Sequence, residues 1–404
     1  MLVVTANWLF GDGTLATAAP APRVAPWLQA VHRAALRGGF RRDGSYRPLE
    51  SVQIVLAGDT FDCLTSSEWT GAVRPWHAGR AAQAARRRVL FRSASRGRRL
   101  LARLGRWARD GLVVPAADRR GRPVLGTTAC VPLRVVLLAG DRDAWLHEGV
   151  DEATRHGLAL GHVWSDDAAT IRHGADCDPC AEAAERRWVG GRGWQPTLAE
   201  SIAVDLVARF VAAIVSSPHA AACRSLVAEF VGRGPLEIAP VVERTLDVLA
   251  AGGDRDHVRD AVLVDWRRSV AAWHRETVRQ PPACAAGFAA CDALAGVFDS
   301  AGRGVVSGAA ASVAARLAAR TVAEPGGHTV LGHPSGAEVD AAGAERLICL
   351  GDGPLAAWGM VPRTVVRRDD GCRTAWERLQ LPGMPEPLGV EPARPAAATI
   401  VDAA

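Results

Sequence analysis

The sequence predicts an α/β fold in which short buried strands alternate with helices, interrupted late in the chain by a helical insertion. Three observations carry that expectation. Apolar runs of strand length recur along the chain, and helical periodicity fills the gaps between them. Several runs also end abruptly in glycine and a carboxylate or imidazole, as in "VQIVLAGDTFD" (52–62) and "LRVVLLAGDRD" (133–143).

Taken in order, the first strand is expected at Leu2–Thr5, where "MLVVTANW" begins without a signal peptide. The second is Val52–Ala57. Leu100, Leu101, Leu104, Trp107 and Ala108 mark one face of a helix that leads, through a loop, into the third strand at Leu133–Ala139. Further strands are expected at Ala169–Arg172, Thr329–Leu331 and Arg346–Leu350. Arg363–Arg368 is more polar and is expected at a sheet edge. Residues 197–320 are rich in Ala, Val and Leu and nearly strandless. Within them Ser201, Asp205 and Arg209 form a narrow polar stripe on an otherwise apolar helix, read as the core of an inserted subdomain rather than a membrane dock. Beyond about Leu381 the chain turns Pro- and Ala-rich. The expected organisation is a core in two parts, 1–195 and 323–380, around a helical insertion at 196–322, with a flexible tail at 381–404.

Composition narrows the function classes. An apolar fraction of 49% over 404 residues suits a packed core and argues against wholesale disorder. The chain contains no lysine, so all 48 basic residues are arginine. Residues 74–122 hold fifteen of them against two acids, Asp110 and Asp118. Such a run is most simply a solvated face. Its alternative partners are an anionic surface, a lipid-linked nucleotide or another phosphate-containing small molecule, with nucleic acid left open. Nine cysteines lack the spacing of a disulfide framework, which suggests a reducing, cytoplasmic setting, with peripheral membrane contact as the alternative. No transmembrane segment is expected, because the most apolar run, Ile202–Val215, is interrupted by Asp205 and Arg209.

The chemistry lies at the strand ends. Asp59 and Asp62 in "GDTFD", Asp141 and Asp143 in "GDRD", His173 in "IRHGADCD" and His333 in "VLGHPSG" each follow an apolar run. In open α/β sheets such ends converge on one crevice. Two carboxylates and two imidazoles make a cage for one divalent cation, neutralised by the two negative ligands. Asp62 is read as a turn or supporting residue rather than a ligand, and Asp143 as orienting the neighbouring arginine or a backbone turn. Cys177 and Cys180 form a lone CxxC, a weak metal or redox signal. His162 and His328 are read as loop residues with some chance of leaning into the crevice. Asn7 is expected to point away from it by strand alternation, and Asp12 to reach it only if its loop folds back.

The order GDxxD, GN[HR]D, HG and GHxH is the signature of the calcineurin-like metallophosphoesterases, and "GDTFD", "GDRD", "HGAD" and "GHPS" resemble four of its five blocks. The arginine of "GDRD" is similar to the UDP-2,3-diacylglucosamine hydrolase branch. The likeness covers about residues 1–370, leaving out the helical insertion. It implies a four-layer α/β/β/α sandwich and a binuclear metal centre. This chain departs from the pattern in an ordered way. Ala6 and Trp8 stand where the family's opening D-x-H has its ligands, Ser335 replaces the last histidine, and Asp141 replaces the asparagine. Carried over, the resemblance leaves one metal site with only the shared Asp59, and the other complete with Asp59, Asp141, His173 and His333. Trp8 is expected to fill the vacated space, and Arg142 to contact phosphate. The implied cofactor is one divalent ion (manganese, zinc, iron or magnesium). The implied activity is reduced hydrolysis of phosphoester or pyrophosphate bonds; the alternative is a pseudoenzyme that binds metal and phosphate without cleavage.

Overall fold

The structure is a computed structural model. It describes residues 1–15, 24–149, 156–178, 180–181, 187–221, 223, 227, 230, 234–250, 256–283, 288–300, 328–331, 347–350, 364–369 and 374–379. The first strands are β1 (Leu2–Thr5), β2 (Phe10–Gly11), β3 (Val52–Ala57) and β4 (Phe61–Asp62). Then come β5 (Leu112–Ala117), β6 (Pro123–Val131), β7 (Leu133–Leu138), β8 (Ala159–Gly161), β9 (Val163–Ser165) and β10 (Ala169–Arg172). The last are β11 (His328–Leu331), β12 (Leu347–Cys349), β13 (Thr364–Asp369) and β14 (Thr374–Arg378).

A mixed six-stranded sheet runs β14–β13–β1–β3–β7–β8, and a second sheet runs β12–β11–β10–β9. Strands β1, β3, β7 and β8 are parallel, and β1 and β3 read as oily runs because both their faces are covered. On one face Val3, Ile54, Leu56, Val135 and Leu137 pack against α1 (Val24–Gly38), α2 (Arg80–Arg96) and α3 (Arg98–Asp110). The alternate residues Leu2, Val4, Val55, Ala57 and Leu138 share a second apolar layer with Ile171 of β10 and Leu350. The chain is thus a mixed α/β fold in which two sheets meet through one apolar layer. Each fully buried aliphatic side chain in these layers contributes about 1.5–3 kcal/mol.

Two expectations fail here. Residues 363–368 are not an edge: β13 lies between β1 and β14, and β14 takes the edge. The polarity that suggested an edge belongs partly to Arg367, which is buried against Asp166 and lies over the Trp376 ring. The segment between α3 and β7 is not a plain loop but the antiparallel hairpin β5–β6. Pro115 and Pro123 inside it, with a register shift after Pro115, hide its alternation.

Arg367 and Asp166 also join the two sheets. The guanidinium donates from Nη1 to Oδ1 at 2.9 Å, with a closer second contact from Nη2 to Oδ2. The hydrogen bond from Arg367, and then its charge, hold the Asp166 carboxyl below its usual range against the opposing effect of partial burial. A carboxyl lowered by folding stabilises above its unfolded pKa of about 3.9, and the gain is lost as pH falls through the folded value. Asp166→Asn is therefore expected to cost up to about 1 kcal/mol at neutral pH, the group being partly exposed. In urea titrations its deficit against the wild type should shrink as pH falls through the lowered folded value.

Downstream, the described part of 197–300 is helical. Thr197 and Glu200 form a capping box, with Glu200 N donating to Thr197 Oγ1 at 3.1 Å and Thr197 N to the Glu200 carboxylate at 2.9 Å. They start α4, made of Leu198–Ser201, a π-helical stretch Ile202–Ala208, and Arg209–Ser216. Helices α5 (Pro235–Ala250), α6 (Asp256–Arg279) and α7 (Phe288–Ser300) pack with it around Phe210, Trp266, Trp273 and Phe298. Ser201 and Asp205 of the polar stripe are buried, and Arg209 is partly exposed. Ser201 accepts from Trp273 Nε1 at 3.0 Å, and Asp205 meets Arg74 at 2.6 Å and Arg209 at 3.7 Å. No helix among the described residues is long and apolar enough to cross a membrane.

Some arginines of the 74–122 run are paired and others are exposed. Arg74, Arg86 and Arg92 pair with Asp205, Glu148 and Glu68. Arg98, Arg99, Arg103, Arg106 and Arg109 lie on the exposed face of α3.

Candidate metal centre

Strand β3 ends at Ala57, and the chain turns through Gly58 at φ +95° and Asp59 at φ +50°. A non-glycine residue in the left-handed region costs about 1–3 kcal/mol and needs its surroundings to hold it there. Asp59 is held by Arg142 N, which donates to its Oδ1 at 3.0 Å, and by Leu9 N, which donates to its carbonyl at 3.0 Å. Asn7 N donates to Gly58 O at 3.2 Å and Phe10 N to Thr60 O at 3.1 Å, so the segment after β1 is zipped onto the GDTFD turn. Asn7 (φ +59°) and Leu9 (φ +51°) are the other left-handed non-glycine residues among those described. Backbone strain therefore gathers at these two adjacent turns, as it does at functional sites.

Strand β7 delivers the second carboxylate. After Leu138 the chain passes Gly140 to Asp141, Arg142 and Asp143. Asp143 is fully buried and braces the turn: its Oδ1 accepts from Gly140 N at 2.6 Å and its Oδ2 from Phe61 N at 3.1 Å. Strand β10 delivers the imidazole, with His173 directly after Arg172 and Gly174 turning the chain at φ +90°. The ring of His173 lies so close over Gly58 that a Cβ there would sit 2.2 Å from its Cδ2.

These three strand ends bring one atom each from Asp59, Asp141 and His173 within 4.8 Å of one another. His173 Nε2 lies 3.3 Å from Asp59 Oδ2, and its Nδ1 lies 3.5 Å from Asp141 Oδ1. These two contacts use different ring nitrogens, of which a single ion can take only one, so the case for a shared cation rests on the three ligand atoms lying within 4.8 Å of one another. This buried Asp–Asp–His group has the donor chemistry to hold a metal ion.

The surroundings carry a strong negative potential, which three groups register. Burial, then the charge of Asp59, pushes the Asp143 carboxyl up to about 7 against the pull of two backbone amides. Burial, then Asp143, Asp62, Asp12 and Asp59, drives the Cys63 thiol well above its usual value. For Arg142, burial pulls the pKa down, but Asp62, Asp141 and Asp59 together raise it. A divalent cation would relieve this repulsion.

The other expected site residues fall into place with some corrections. Arg142 is buried and donates from Nη1 to Asp62 Oδ1 at 3.2 Å, so its guanidinium answers that carboxylate. Asp62 also accepts from Thr65 N at 3.2 Å. Asp62 thus meets the arginine, while Asp143 braces the backbone turn, one of the two roles expected of it. Trp8 does not fill a vacated space beside the ligands. It lies in the helix-side core, stacked on Phe10 at 5.8 Å and edge-on to Trp27 at 5.2 Å. Ala6 is buried in the layer between the sheets. The alternation used to orient Asn7 does not apply, because β1 ends at Thr5 and Asn7 itself is left-handed. Asp12 is occupied elsewhere, accepting from Thr14 Oγ1 and Ser66 Oγ, each at 2.6 Å. His333 and Ser335 lie outside the described residues; β11, which pairs with β10 through Leu331 opposite Arg172, ends two positions before His333. Cys177 ends a 3₁₀ turn and Cys180 is buried.

Two cavities flank the ligands. One, of about 20 Å³, is lined by Asp59, Asp141, Arg142 and Asp178 and closed by apolar residues of α4 and α5, including Ile202, Ala203 and Ile238. The other, of about 370 Å³, is lined by Asp141, His173, Arg172, Asp176 and His162. Asp178 and Arg172 were not singled out from the sequence. The signal available was their adjacency to the HG pair in "IRHGADCD".

A scan against protein-family models and searches of curated proteins and of solved structures found no match for this chain.

Proposed function

We propose that the chain is a phosphoester or pyrophosphate hydrolase of the calcineurin-like metallophosphoesterase type that works on a single divalent ion. The observation supporting this most is the convergence of Asp59, Asp141 and His173, from three separate strand ends, at ligand spacing. On this reading His333 is the fourth ligand, since β11 runs parallel beside β10 with its last residue opposite Arg172. The two apolar layers on the six-stranded sheet suit the four-layer α/β/β/α sandwich, with 196–322 as the helical insertion and a cytoplasmic setting.

A bound divalent ion supplies Lewis acidity, zinc alone bringing water from a pKa of about 15.7 to about 9. The chain's own residues do the rest. Asp59 and Asp141 balance the ion's two charges, and His173 completes a borderline donor set that suits manganese, zinc or iron better than magnesium. Arg142 neutralises Asp62, so the extra carboxylate does not compete for the ion. The apolar wall from α4 and α5 keeps bulk water from the Arg142 side.

The second reading is a pseudoenzyme that binds metal and phosphate without cleavage. Ala6 and Trp8 favour it, because each is built into an apolar layer and neither offers a ligand for a second ion. Hydrolysis of bis(p-nitrophenyl) phosphate with added manganese separates the two. Turnover in the wild type that vanishes in His173→Ala is the expected result. Absence of turnover, with manganese still raising the wild type's melting temperature, selects the pseudoenzyme.

A further inference from the structure

We infer that Arg172, rather than Arg142, is the residue of this site that takes up the phosphoryl oxygens of a phosphate-bearing ligand. The inference rests on the reading of the site as a phosphoester site. Cavity size decides the side of approach. The space beside Arg142 is about 20 Å³, enough for one water. The space beside Arg172 is about 370 Å³, within the range of small-molecule pockets, and opens onto Asp141 and His173.

The partners of the two arginines point the same way. Arg142 is buried among Asp62, Asp141 and Asp59, with Nη1 on Asp62. Withdrawing it would strand a buried carboxylate, which is costly. Arg172 pairs with Asp176, whose side chain is 57% exposed. The Arg172 side chain itself is 20% exposed, and a phosphate offers a planar guanidinium better geometry than one carboxylate does. Two other carboxylates line that pocket: Asp141, of the candidate ligand group, and Glu200, engaged with Thr197 N in the capping box.

The test uses the full chain, orthophosphate as probe, isothermal titration for binding and a separate measurement of manganese content. Arg172→Met is expected to weaken orthophosphate binding at least about tenfold with manganese content unchanged. Equal phosphate affinity in wild type and Arg172→Met overturns the inference, as does a wild type that binds no orthophosphate. A wild type that takes up no manganese, yet binds phosphate in an Arg172-dependent way, supports the inference while the metal reading fails.

Discussion

Asp141→Asn and His173→Ala are each expected to lower manganese affinity by more than about 100-fold, against a wild type expected to bind one ion per chain. Loss of a group that merely supports a ligand costs about 10–100-fold in other metal sites, so loss of a ligand itself exceeds that. Asp141→Asn is the cleaner variant. It keeps the shape of the side chain and removes one charge from a cluster that also holds Asp59, Asp62 and Asp143. Without metal, its stability should therefore equal or exceed that of the wild type. Ligand linkage supplies the readout: an ion at 100 times its dissociation constant stabilises by about 2.7 kcal/mol. The wild type should show a manganese-dependent rise in melting temperature that both variants lack. Two ions per chain, or a metal-dependent rise that survives in both variants, would overturn the single-ion centre.

The ligands were legible because they sit where local and global signals agree. Val52–Ala57 and Ala169–Arg172 are oily enough to be buried strands, and a carboxylate or imidazole directly after such a run has few other purposes. What failed was direction. Arg142 looked outward in sequence because its partner, Asp62, is 80 positions away. Asn7 was oriented by extending the strand period past Thr5, but the left-handed backbone at Asn7 and Leu9 breaks that period. The β5–β6 hairpin carries prolines that mask its alternation, and β2 and β4 are two residues each, too short for any periodicity. Arg172 carries no local mark that separates a ligand contact from a solvated strand end.

Gly140→Ala is expected to cost about 2–4 kcal/mol and to weaken manganese binding with it. The sequence suggested that the glycines at these strand ends serve sharp turns. That holds for Gly58 and Gly174, which are left-handed, but Gly140 is not among the positive-φ residues. Its need is for space. A Cβ at 140 would lie 2.1 Å from Asp59 Oδ1 and 2.6 Å from Asp59 N. The carboxylate cannot simply swing aside, because Oδ1 also accepts from Arg142 N, and the backbone is tied through its carbonyl to Leu9 N. Either the GDTFD turn or the GDRD turn must move, and both carry ligands. Gly296→Ala is the control: it lies in α7 with nothing within 4 Å of the added Cβ, so helix propensity alone should make it neutral or slightly stabilising. Denaturant unfolding with and without manganese then separates two failures. In Asp141→Asn only the metal-dependent part of stability disappears, whereas in Gly140→Ala the metal-free stability falls as well. That difference is what a centre built from two interlocked turns requires. If Gly140→Ala unfolds at the wild-type denaturant midpoint and still binds manganese, the close approach of those turns is wrong.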